Sequence, residues 1–496
     1  MSFIDQTKHL PSLGVGVTYC TELHELIQLE ASLFDLIEIE PQTLWIRDTL
    51  NHDLYTFPQE TKQILASLPQ QKIIHSVGVP VGGNKPADPK QLNLLKQNIK
   101  DFNSPWASEH LSFNSTLDFH TGFFLPPRQT ERGIALALNN IKRLQQSLKI
   151  PIAVETGVNY LKTRHDEMED GLFVREVSRA ADCGILLDLH NLYTNELNHR
   201  QSVEKFISQI DTERVIEMHL AGGIEMDGYW LDAHSGVMPE RLIRMAEELV
   251  PILPNLRAIV FEILPSYIPL VGMKTITGQI ERIKSIWSLK KTPSPKSDKV
   301  SGILVPGLTR SDDTYKWEHS LGSMATGLGL SENENLFPEL QDDKGIRVLQ
   351  SLISEFRASM LVSMLKLSSR YLMLVLGIPA FELFLKDFYS NYSPKQFGTD
   401  EAANFITYLR GKNIDLPILY ELLDFEEGVI ATLVDGKTRA ATFTYDPIPL
   451  LSCLFQGRLP EEDRRAGKYI IDITPDSELT LSKAELSSDG MLSIGH

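Results

Sequence analysis

Nine side chains between residues 75 and 262 have the types and spacing of a metal site: His75, His110, Glu155, Asp188, His190, His219, Asp232, His234 and Glu262. Imidazole and carboxylate are donors that suit iron, manganese and zinc, and no thiolate stands among them. One transition metal takes ~4 to 6 donors, and this set exceeds that. Four of the nine are carboxylates, whose charge balances two divalent cations, so two or three metals fit better than one. A lone His or Glu in an apolar run is more often a hydrogen-bonded core residue than a ligand. A ring of them is a different matter, because each buried charge costs several kcal/mol unless it is paired or ligated. Glu38, Glu40 and Glu109 extend the pattern, and Glu38 and Glu40 stand open between ligand, salt bridge and support.

The elements that must position this set are short Val/Ile/Leu-rich runs alternating with amphipathic stretches through the first 290 residues. Eight such runs read as strands: Gly14–Tyr19, Leu36–Pro41, Ile73–Val79, Trp106–Phe113, Ile152–Gly157, Gly184–Asn191, Val215–Gly223 and Ala258–Leu264. Helical spacing of apolar residues recurs between them, as at Pro89–Phe102, Glu131–Leu148 and Pro239–Val250. Strand and helix alternating eight times predict a (β/α)8 TIM barrel, whose C-terminal rim is where such proteins assemble their sites. An open doubly wound sheet would show a Gly-rich phosphate turn after an early strand, and none follows Gly14-Val15-Gly16. Strand periodicity turns Asp188 and His190 to one side, and Glu109 and His110 to opposite sides. His110 is therefore the ligand of its pair and Glu109 the support.

The chain of 496 residues carries 48 Lys+Arg against 65 Asp+Glu, a formal charge of −17, which disfavours a nucleic-acid partner. Of 13 histidines, all but His319 and His496 precede residue 300. His24, His52, His120, His165 and His199 read as surface or packing residues. Three scattered cysteines, Cys20, Cys183 and Cys453, make neither a disulfide framework nor a zinc thiolate site. Cys183 reads as an inert buried thiol. No signal-peptide core opens the sequence, and the apolar Leu361–Leu385 stretch is broken by Lys366, Arg370, Pro379 and Glu382. No membrane partner and a cytoplasmic location are the expectation. Three parts are expected: a barrel over 1–289, a Lys/Pro/Ser linker over 290–302, and a separate α+β domain over 303–496. The last is Gly/Ser/Asn-rich at 307–336, helical from Asp342 to Asn391, at Glu401–Arg410 and at Pro417–Asp424, and strand-like at Gly428–Tyr445 and Lys468–Ile473. From Ser482 the tail reads as weakly ordered.

The segments HSVGVPVGG (75–83), SEHLSF (108–113), VETGVNYL (154–161), LLDLHNLYTNELNH (186–199), EMHLAGG (217–223), LDAH (231–234) and FEI (261–263) stand in a telling order. Over about 14–272 the sequence resembles the multinuclear non-heme iron-dependent oxidative enzymes (MNIO), also catalogued as the DUF692 family. The resemblance implies a xylose isomerase-like barrel binding two or three iron ions of mixed valence through the nine residues above, with Glu155 bridging. It further implies O2 as co-substrate and oxidative modification of a side chain, Cys first and Asp or another residue second, in a ribosomally synthesised precursor peptide. On that footing Glu155, Asp188 and His219 are the candidate catalytic residues, and Glu38, Glu109 and Asn191 hold the ligands from behind. Thr156 stands where the family often has Asn, and His190 where some members have Asn. Residues 368–394 and 408–429 weakly resemble DUF2063-like partner proteins that recruit the peptide, here fused in cis. The alternative for that region is an unrelated stabilising or dimerising domain. The alternative for the barrel is a redox-neutral di- or trinuclear metal hydrolase or a sugar isomerase. The latter would usually place a base lysine in a barrel strand, and the eight runs contain none.

Overall fold

The computed structural model describes residues 1–48, 54–291, 313–328, 337–460, 466–475, 479–486 and 492–494. His52 and most of the expected 290–302 linker lie outside the described residues. Eight parallel strands close a barrel: β1 (Gly14–Thr18), β2 (Leu36–Ile39), β3 (Gln71–Ser76), β4 (Ala107–His110), β5 (Ile152–Glu155), β6 (Gly184–Asp188), β7 (Val215–Ala221) and β8 (Ala258–Glu262). Each pairs with its sequence neighbours, and β8 returns to β1. Branched residues such as Val15, Val17, Ile37, Ile39, Ile74, Val154, Ile185 and Ile259 pack with the surrounding helices in one apolar core. A smaller cluster of Phe3, Trp106, Leu186, Ile216 and Val260 forms separately.

The (β/α)8 expectation holds, with strands shorter at their C-terminal ends than the apolar runs suggested. Two boundary shifts matter. β3 begins at Gln71, so a barrel strand does contain a lysine, Lys72. It lies at the end of the strand away from the rim, where Nζ donates to the Leu68 carbonyl. β6 ends at Asp188, and a helix, Leu189–Leu197, starts at once.

Beyond the barrel, the long helices Thr314–Thr326 and Gly345–Met364 lie against the rim. Trp317, Leu321, Ile346, Leu349 and Ile353 share a buried cluster with Phe113, Leu125, Tyr160, Leu161 and Leu231 of the barrel loops. A further core, from Leu361 to Ile473, belongs to helices and sheet of the C-terminal region alone. Its antiparallel sheet has the order β9 (Arg439–Tyr445), β10 (Ala466–Ile473), β11 (Leu479–Leu486), β12 (Leu492–Ile494). The α+β expectation holds, with three corrections. The Gly/Ser/Asn-rich stretch contains the helix Thr314–Thr326. The tail after Ser482 supplies β12 and the end of β11. The helix from Pro417 also runs on to Asp435, through Gly428. Gly428, expected to begin a strand, lies inside this helix, where a Cβ would come 2.9 Å from Ile473 Cδ1 of the sheet. Among the described residues no single helix is long and apolar enough to cross a membrane. The bent pair Gly345–Met364 and Lys366–Leu376 passes only when the two are taken together, across a bend of 107°.

Candidate metal centre at the barrel rim

Parallel register sets the donors level with one another at the C-terminal rim. His75 pairs with Ser108, His110 with Glu155, and Asp188 with His219. Glu155 Oε2 lies 3.1 Å from His75 Nε2 and 3.0 Å from His110 Nε2. Across the barrel His219 stands between two carboxylates, with Nε2 3.1 Å from Glu38 Oε2 and Nδ1 3.2 Å from Glu262 Oε1. His234 Nε2 is 3.0 Å from Asp232 Oδ1 and 3.4 Å from Glu262 Oε2. His234 holds a left-handed backbone, φ +44°, and its carbonyl accepts from Leu264 N, which ties the loop after β7 to the end of β8.

Three sets of ligand atoms, each within 4.8 Å of one another, converge here: His75, His110 and Glu155; Glu155, Asp188 and His219; Asp188, His234 and Glu262. Seven of the nine expected ligands therefore come together, with Glu155 and Asp188 each shared between two sets. The other two, His190 and Asp232, meet each other, and Asp232 joins them to the set through His234. His190 Nδ1 meets Asp232 Oδ1 at 2.9 Å, and Trp230 Nε1 donates to His190 Nε2 at 3.4 Å, so both ring nitrogens are engaged. The expected shared strand face of Asp188 and His190 does not exist. The chain turns into a helix after Asp188, whose Oδ1 accepts from Asn191 N at 2.8 Å as its N-cap.

Around the donors further polar groups make hydrogen bonds, although Asn191 Oδ1 and Glu217 Oε1 have none among the described residues. Glu109 Oε2 accepts from Ser76 Oγ (2.6 Å) and Val79 N (3.0 Å), and its Oε1 from His110 N (2.8 Å), so it fixes the loop between His75 and His110. Asn191 Nδ2 donates to Glu155 Oε1 at 3.3 Å. Glu38 Oε1 accepts from Thr18 Oγ1, and His75 Nδ1 meets Ser108 Oγ at 2.9 Å. Thr156 Oγ1 accepts from Asp188 N at 3.0 Å, so this position braces the strand end. Glu217 was missed in the sequence. It is fully buried on β7, accepts from Trp106 Nε1 at 2.9 Å, and groups with Glu38 and His219. The signal was present, since Glu217-x-His219 is the i, i+2 spacing of one strand face.

Burial alone would hold these groups neutral, and their mutual charges decide otherwise. Burial disfavours charge on His75, but Glu155 beside it raises the imidazole to about 10. Burial would raise Glu38 and Glu155, yet His219 holds the first and His110 and His75 the second near about 2. Asp188 is pushed well up by burial and then by Glu262, Asp232 and Glu155. Among the described residues, protons on histidine are thus what offsets the rim carboxylates. They do so poorly: Glu155 Oε2, Asp188 Oδ2, His219 Nδ1 and Glu262 Oε2 are buried with no hydrogen bond among the described residues. Oxygen and nitrogen donors that converge at 3.0–3.4 Å fit metal ions lying between them once the imidazoles give up their protons, and the imidazole and carboxylate donors fit iron.

With this geometry in view, sequence comparison decides the family. Residues 14–284, more than half of the chain, match the family described as RiPP precursor modification enzyme MbnB/TglH/ChrH. The chain belongs to this family. Among its relatives, the UPF0276 protein of Vibrio vulnificus strain YJ016 is 33% identical over 165 residues, 32% of this chain and 57% of the Vibrio protein. A UPF0276 protein of Streptomyces avermitilis is 23% identical over 253 residues, covering 50% of each chain. The chain thus spans little more than half the length of these relatives. Among solved structures, a xylose isomerase domain-containing protein of Salmonella typhimurium LT2 aligns with a TM-score of 0.39 and 14% identity, over 56% of this chain and 97% of that one. The barrel assignment rests on the closed strand order itself.

Proposed function

We propose that this member of the MbnB/TglH/ChrH family is an O2-dependent multinuclear iron enzyme. Its substrate is a side chain of a ribosomally synthesised precursor peptide, Cys by preference and Asp or another residue as the alternative, in the cytoplasm. The observation that carries the reading is the convergence of seven imidazoles and carboxylates, five of them buried, with orphaned donor atoms on one barrel rim, in a chain of this family. Bound iron would supply the redox chemistry, carrying electrons from the substrate side chain to O2.

The chain's own residues prepare that chemistry. His75, His110 and Glu155 offer two imidazoles and one carboxylate, whereas Asp188, His234 and Glu262 offer one imidazole and two carboxylates. More negative charge favours the more highly charged ion, so the two sets favour different oxidation states. Glu155 and Asp188 join both to the intermediate set with His219, the placement a bridging carboxylate requires. Glu38 on His219 and Asn191 on Glu155 orient their partners, a role that sets affinity and basicity. Tyr160 OH accepts from Asp232 N at 3.1 Å and sits in the apolar cluster beneath the roof helices, which limits water at this edge of the site.

The test is anaerobic purification with metal analysis and Mössbauer spectroscopy, followed by co-expression with short peptides encoded nearby and mass spectrometry with and without O2. A mass change that needs both iron and O2 is the expected result. Full activity with zinc alone would overturn the reading in favour of redox-neutral chemistry.

A further inference from the structure

A cavity of about 340 Å3 lies where the barrel meets the C-terminal region, apart from the metal donors. One wall comes from the loops after β3 and β4, the strands that carry His75 and His110. The other is the segment Ser393–Phe397, which follows the helix Ile378–Asn391. The two walls are bonded to each other: Gln396 Nε2 donates to the Gly78 carbonyl at 3.2 Å, and Gln91 Nε2 to Gln396 Oε1 at 2.9 Å. They also press close at Gly122, φ +74°, where a Cβ would lie 2.6 Å from Pro394 Cβ. The volume is at the small end of the ~300–1,000 Å3 of ligand sites.

The cavity's polar groups are unevenly satisfied. Arg47 is paired with Asp400 at 2.6 Å. Asp88 accepts from Tyr55 OH and Lys90 N, and Asp118 from Tyr315 OH. Asp88 and Asp118 keep their negative charge, because these donors are neutral, but the charges acting on His120 are basic. Lys85, from the barrel, and Lys395, from the C-terminal region, have no carboxylate partner among the described residues. His120, which sequence reading leaves as packing, lies with them. Gly122 N donates to its Nδ1 at 2.9 Å, so the neutral ring carries its proton on Nε2. That Nε2 is buried with no acceptor. An orphaned buried donor costs ~1–3 kcal/mol, and only an incoming acceptor recovers it. Two ammonium groups near that donor select a negatively charged acceptor.

We propose that this cavity is an anion subsite, in which Lys85, Lys395 and His120 Nε2–H receive the carboxylate of an Asp or Glu side chain in the precursor peptide. The subsite rests on the peptide-substrate reading above and adds to it the kind of residue the enzyme recognises away from the reacting one. Because the walls belong to the two regions, the C-terminal region contributes directly to substrate binding. A peptide anchored here lies on the rim that carries His75 and His110.

Fluorescence anisotropy on the full-length, iron-loaded chain tests this with a labelled (Glu-Gly)4 peptide, the matched (Gln-Gly)4 peptide and inorganic phosphate as competitor. The acidic peptide is expected to bind at least about 10-fold more tightly than the neutral one. The Lys85→Gln/Lys395→Gln double variant should lose that preference, with iron content and unfolding midpoint unchanged. Equal binding of the two peptides, an unaltered preference in the double variant, or phosphate displacing the peptide at equal concentration would each overturn the subsite. The two readings fail separately. Peptide oxidation without acidic selectivity removes the subsite alone, and acidic selectivity without any oxidation removes the oxidative reading alone.

Discussion

The molecule buries charge in two places and treats it differently. In the C-terminal region Arg357 and Glu401 are both buried. Arg357 Nε meets Glu401 Oε1 at 2.6 Å, Nη2 donates to the Tyr392 carbonyl at 2.9 Å, and Glu401 Oε2 accepts from Lys395 N at 3.0 Å. The guanidinium also lies 4.3 Å from the Tyr389 ring centroid. Cation and anion are both supplied by the chain, and Nη1 alone of the guanidinium lacks an acceptor among the described residues. At the barrel rim the anions outnumber fixed cations among the described residues, histidines must take up protons to compensate, and five atoms of the ligand residues, His110 Nδ1 among them, have no hydrogen bond. The first arrangement is complete as folded. The second is completed by something the chain does not contain, which separates a structural ion pair from a prepared site.

The sharpest way to break this contrast is Glu155→Gln. Glu155 serves two of the three converging sets, so its loss should exceed the ~10- to 100-fold effect of removing a supporting partner and abolish measurable iron binding and peptide modification. The unfolding midpoint of the metal-free protein should change little, because the carboxylate's partners are histidines that can release their protons. Iron retained at normal stoichiometry would show that the rim set is not organised around Glu155.

Arg357→Met makes the complementary cut. It leaves Glu401 buried without its cation, a loss of ~3–5 kcal/mol in unfolding free energy by denaturant titration. Iron content per folded molecule should stay at the wild-type level. A variant of normal stability that fails to load iron would dissolve the distinction between the two regions.

Most of the barrel and its donors were legible because both obey local rules. Apolar runs such as Ile152–Val154 can only be buried strands, and an ionisable residue at the end of such a run, like Glu155, is conspicuous. The failures came where chain direction changes. Asp188-Leu189-His190 looks like strand until the Asp188 side chain is recognised as a helix N-cap, which swings His190 onto Asp232 and Trp230. Glu217 lies mid-strand, two residues before His219, where a run's apolar pattern does not set it apart as it does a residue at the strand end. The cavity between the regions was not legible at all, since Lys85, His120 and Lys395 are brought together by packing of segments far apart in sequence.

The smallest expected effect concerns the seam between the regions, at Glu318 on the helix Thr314–Thr326. Its side chain is buried and accepts from Asn84 N at 3.0 Å and Asn84 Nδ2 at 2.7 Å. Burial pushes its carboxyl up to about 8, against the hydrogen bonds from Asn84, which favour the charged form. An unfolded chain releases this proton near the ordinary ~4.3. Between those values the folded state holds a proton the unfolded state has lost. Its contribution to stability is therefore full below ~4.3 and is lost as pH rises through about 8, at up to ~1 kcal/mol per pH unit. Glu318→Gln has no such proton. The stability difference between wild type and variant, taken at each pH so that other titrations cancel, should move steadily in the variant's favour from about pH 5 to about pH 8. A difference that stays flat would mean the Asn84 amide groups keep the carboxylate ionised, placing the seam with Arg357–Glu401 as a self-sufficient contact rather than with the rim.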